Sequence, residues 1–99
     1  MRKENLRAHF NEAIRAGAKY VAVKIETRGM PQPEYIINPR ENFGQKLVYY
    51  MSAYNDDLVL KTYDGIKITG FAKGNTITEC LAWLMGEKQN EAGTAKEIV

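Results

Sequence analysis

Apolar residues recur along this chain first at helical and then at strand spacing. Leu6, Phe10, Ala13 and Ile14 stand three and four positions apart with Gly17 just beyond them, which predicts an amphipathic helix from about residue 3 to residue 16. From Tyr20 to Thr27 the pattern alternates, Val21, Val23 and Ile25 against Ala22, Lys24 and Glu26, as in a half-buried strand. Gly29, Pro31 and Pro33 make residues 28–33 a loop, because proline withdraws backbone donors, and Tyr35 to Ile37 reads as a second, short strand.

Asn38, Pro39 and Glu41 match an N-cap, a first helical residue and an acid in the first turn. The helix they predict carries Phe43, Leu47, Tyr50, Met51 and Tyr54 on one stripe and stops at Asn55-Asp56. Leu58, Leu60 and Thr62 then alternate with Val59, Lys61 and Tyr63, a third strand leading into Asp64-Gly65. That dipeptide is a hairpin signal, since a two-residue turn of this kind needs positive φ at both positions. Ile66 to Ala72 is the fourth strand. Thr76 and Glu79 form a capping box ahead of a last helix with Ile77, Cys80, Leu81 and Leu84 on its stripe.

These elements predict one α+β domain over residues 1–88, ordered α-β-β-α-β-β-α. Its sheet is expected to be four-stranded and mostly antiparallel, with the helices packed on one face. Beyond Lys88 the apolar period fades, and residues 89–99 are expected to form a frayed or disordered tail. The strand, strand, helix order occurs twice, but the two copies do not keep one spacing. Asn38 and Asn75 are offset by 37 residues, whereas Leu47 and Leu81, or Met51 and Met85, are offset by 34. The likeness is therefore one of ββα architecture, not evidence of shared ancestry. No motif of a known family is present.

Composition narrows the function classes. At 99 residues there is room for one core, and 44% hydrophobic with 26% charged residues is ordinary globular usage. The net charge of +2 is uneven: residues 1–28 hold seven Lys or Arg against three Glu, a net of +4. This falls short of the basic footprint of a dedicated DNA binder. One cysteine and one histidine exclude the usual zinc clusters, and Cys80 has no cysteine to pair with, which suits a reducing compartment. No apolar run approaches a membrane span, and no signal core follows Arg2 and Lys3. A cytoplasmic protein is expected.

Candidate chemistry is thin. His9 has no acid or nucleophile beside it in sequence, Cys80 lies on a buried stripe, and Asp56-Asp57 reads as a stop signal. Gly70, Gly74 and Asn75 precede a helix but lack the spacing of a phosphate loop. Tyr49 and Trp83 fall outside the stripes of their helices by the same angle, and one neighbouring helix can cover both only with difficulty. They are the candidate partner-binding residues. Lys24, Lys61 and Lys67 with Tyr63 form an alternative surface, a polar sheet face suited to nucleic acid. The expectation is a non-enzymatic interaction module without metal or cofactor that binds a protein partner or itself. Nucleic-acid binding through the Lys/Tyr face or the basic first helix is the alternative.

Overall fold

The computed structural model describes residues 1–93, with side chains described to Gly86. In chain order its elements are α1 (Lys3–Ala16), β1 (Tyr20–Thr27), β2 (Glu34–Pro39), a 3-10 turn (Arg40–Asn42), α2 (Phe43–Ala53), β3 (Ile66–Gly74) and α3 (Ile77–Gly93). The tail expected over residues 89–99 begins inside α3, and its remainder, 94–99, lies outside the described residues.

α1 ends as its sequence predicts. Gly17 adopts φ +74°, and Gly17 and Ala18 donate back to the Ile14 and Ala13 carbonyls. The Arg40 guanidinium adds a distant cap, donating to the Ile14 and Ala18 carbonyls at 2.9 Å each. A cation at a helix C-terminus is favoured by the partial negative charge there. Lys3 does the same for α2, its ammonium donating to the Met51 carbonyl at 2.8 Å.

The sheet has three antiparallel strands in the order β2-β1-β3. Val21 lies opposite Asn38 on one side of β1, and Ala22 opposite Ala72 on the other. A bulge interrupts the second ladder. Lys24 pairs with Gly70 and Ile25 with Ile68, so Thr69 is left over on β3 and the side chains beyond it change face.

Helices cover both faces, not one. On the first face Val21, Val23 and Ile68 pack with Leu6 and Phe10 of α1 and with Phe43, Tyr50 and Tyr54 around α2. Phe10, Leu6 and Leu58 are fully buried there, each worth roughly 1.5–3 kcal/mol of transfer free energy, and Tyr50 is buried beside them. On the second face Ala22 and Ala72 meet Cys80 and Leu84 of α3. The opposite residues are small so that one helix can come close: a Cβ on Gly70 would stand 3.2 Å from Leu84 Cδ2. The Thr76–Glu79 capping box that starts α3 is formed, with Glu79 N–H donating to Thr76 Oγ1 at 3.0 Å and Thr76 N–H to Glu79 Oε1 at 3.1 Å.

Four further expectations are corrected. Residues 58–63 are not a fourth sheet strand, and only two isolated bridges, Tyr54 with Leu60 and Val59 with Lys67, remain of it. Leu58 adopts φ +63°, which breaks the strand, and the Asn55 side chain accepts from the Asp57 and Val59 N–H groups that a strand would use elsewhere. Asp64-Gly65 is not a positive-φ hairpin turn, since neither is among the described residues with positive φ. Asn38 does not cap α2. It is 1% exposed within β2, where its amide donates to the Val21 carbonyl at 3.1 Å. The ββα plan is not repeated, because the second unit has one sheet strand where the first has two, and its helix lies on the opposite face.

Candidate functional site: the open edge of β3

β3 is the last strand of the sheet, and its edge is covered only along its first half. Ile68 N–H donates to the Leu58 carbonyl and Leu60 N–H to the Ile66 carbonyl, both at 2.9 Å. The Ile68 backbone thus points away from β1, and so its partner Ile25 points away from β3. β1 carries no bulge, so Val23 and Val21, in step with Ile25, also turn their backbone groups away from β3. Their partners Phe71 and Lys73 therefore direct N–H and C=O outward. Among the described residues no strand lies beside Gly70–Gly74 on the side away from β1.

Side chains from three elements wall this edge. One cleft, of volume ≈ 410 Å³, is lined by Met1, His9, Phe71, Lys73 and Trp83. A second, also ≈ 410 Å³, is lined by Ala16, Ala18, Lys73, Gly74, Asn75, Glu79 and Trp83. Lys73 and Trp83 line both, so the two clefts adjoin, and together they are called the groove, with residues of α1 and of α3 in its walls.

The bulge at Thr69 builds the groove. It returns Phe71 and Lys73 to the α1 face, where the His9 and Phe71 rings lie 4.6 Å apart and Lys73 Nζ lies 3.6 Å from Glu12 Oε2. Burial pushes the His9 pKa below its ordinary value, with Lys73 adding to the shift and the Ala72 backbone and Glu12 opposing it. Its Nε2 is buried without a hydrogen-bond partner. Trp83 lies on the α3 side, 60% exposed. Burial also pushes the Cys80 thiol upward, away from a reactive thiolate.

The other candidates lie elsewhere. Tyr49 is 47% exposed on α2, its ring 5.4 Å from Tyr50 and 6.4 Å from Tyr54 with Lys46 above it. Because α2 and α3 lie on opposite faces of the sheet, Tyr49 and Trp83 do not share a surface. The Lys/Tyr face is not an open one either. Lys24 is 4% exposed under α3 and 3.6 Å from Glu26, Lys67 is exposed on β3, and Lys61 and Tyr63 belong to the turn after Leu60. The Tyr63 ring stacks instead under Arg28, which pairs with Asp64.

Lys73 and the groove role of His9 and Phe71 escape sequence reasoning. Alternation through Ile66, Ile68, Gly70 and Ala72 is unbroken, so nothing in the pattern marks the bulge that turns Phe71 inward. No group of three His, Cys, Asp or Glu among the described residues could hold a metal, and no helix among them is long and apolar enough to cross a membrane. Compared with protein-family models, curated proteins and solved structures, the chain finds no match.

Proposed function

We propose that this protein is a non-enzymatic interaction module that binds a protein partner through the groove on β3, with Trp83 as its main contact. One observation carries the reading: an unpaired length of strand edge runs between two aromatic rings, Phe71 and the 60% exposed Trp83. Edges of this kind attract other chains, and a large exposed ring beside a pocket is the usual anchor of a protein interface. Tyr49 is assigned a supporting role on α2, where its ring already packs against two others. The buried lone cysteine suits a reducing compartment, and the cytoplasm is our assignment.

The test is selection from a displayed library of random dodecapeptides on the immobilised protein. Recovered peptides should bind Trp83→Ala about tenfold or more weakly and Tyr49→Ala with little change. Peptides indifferent to Trp83→Ala, or no enrichment at all, would end this reading.

A further inference from the structure

We propose that the groove binds its partner by strand addition: an extended, uncharged segment of another protein pairs with the Phe71 and Lys73 backbone, placing an apolar side chain against Trp83 on the α3 face and its alternate neighbours beside Phe71 on the α1 face. This deepens the preceding proposal and rests on it. The recognition is of backbone first. Phe71 and Lys73 each offer one donor and one acceptor on the outer side of β3, a ladder that only an extended chain can satisfy in full. From Phe71 to Asn75 the groove runs about 13 Å, room for about four residues of a strand.

Charge decides the class of partner. Within the groove Lys73 is paired with Glu12, and the remaining carboxylate, Glu79, accepts from the Asn75 and Thr76 N–H groups at the start of α3. With the Met1 ammonium counted, two cations face two carboxylates, Glu12 and Glu79, so no surplus of positive charge is left to hold a polyanion. Trp83 on the α3 side suits an aliphatic or aromatic side chain, and the alternate side chains of the added strand would lie toward Phe71, Ala16 and Ala18 on the α1 side.

The probe is a set of N-acetylated, C-amidated hexapeptides in which Val, Ile, Phe or Trp alternates with Thr or Ser, titrated into the full chain and followed by residue-resolved NMR. Binding should slow amide exchange at Phe71 and Lys73 about tenfold or more, and N-methylation of alternate peptide amides should weaken it by a similar factor, since each blocked donor leaves an acceptor unpaired. Trp83→Ala should weaken it too. Binding that depends on Trp83 but tolerates N-methylation and leaves both amides unchanged would overturn strand addition alone. Binding indifferent to Trp83→Ala, or none at about 1 mM peptide, would overturn both proposals. A dimer of the free protein that Trp83→Ala dissolves would make the occupant a second copy and overturn the assignment to a separate partner.

Discussion

β2 ends the sheet between Pro33 and Pro39 with an exposed Glu34 at its start, whereas the outer half of β3 ends it with Gly70, Ala72 and Gly74 beyond a bulge. Proline lacks the N–H an added strand would need, and charge at an edge discourages pairing, so β2 is blunted at both ends, with only Tyr35 and Ile37 between them turning N–H and C=O outward. The first half of β3 is protected differently, by the Leu58–Leu60 segment folded back from α2. What remains is the outer side of Gly70–Gly74, which is walled by side chains but paired with no strand among the described residues. The contrast teaches that an open edge is informative only after its neighbours have been accounted for. One edge is blunted at its ends, half of the other is capped, and the open half of β3 coincides with the cleft lined by both Phe71 and Trp83.

The sharpest way to break this comparison is to remove the cap on β3. Leu58→Ala should cost about 2–5 kcal/mol in urea unfolding, because a fully buried leucine is lost from the core. Leu58→Gly removes one carbon more, yet it should cost no more than the alanine. Glycine relieves the φ of +63°, a strain of about 1–2 kcal/mol for any other residue. A glycine variant clearly less stable than the alanine one would show that Leu58 is not strained and that the cap is held in another way.

A smaller effect is expected from Asn55→Ala. It strips the acceptor from the Asp57 and Val59 N–H groups, and should cost about 1 kcal/mol while raising amide exchange at Ile68, the residue the cap protects. Unchanged exchange at Ile68 would separate the Asn55 turn from edge protection.

The smallest concerns the open half. His9 is held below its ordinary value of 6.5, mainly by burial. The unfolded chain therefore takes up a proton before the folded one does, so stability is complete above about pH 6.5 and falls as pH drops through that value. The Ala72 backbone and Glu12 oppose the shift that burial and Lys73 produce, so the loss should be the smallest of these effects. His9→Phe should flatten the difference between urea midpoints measured at about pH 7.5 and about pH 5. An unaltered difference would place the titration elsewhere.

Much of the fold is legible in the sequence because local signals agree with it. The period of α1, Gly17 as its close, the alternation of β1, the stripe of α2 and the Thr76–Glu79 box all appear in the structure. In the failures the expected groups find other partners. Asn38 reads as a cap and is buried instead against the Val21 carbonyl, and residues 58–63 read as a strand but divide their hydrogen bonds among Asn55, Ala53 and the first residues of β3. Lys24 reads as solvent-facing, which assumed that helices cover one face only. For the site, Trp83 stands out by helical angle alone. The groove does not, because it depends on one unpaired residue, Thr69, whose bulge leaves no trace in hydrophobic periodicity.

Residue-resolved amide hydrogen exchange along β3 in the free protein tests the central claim most directly, since it needs no partner. An open edge predicts that Ile68, bonded to the Leu58 carbonyl, is protected while Phe71 and Lys73 exchange about a hundredfold faster or more. Protection of Phe71 and Lys73 equal to that of Ile68 would mean that the edge is already paired within the chain, and would contradict the account.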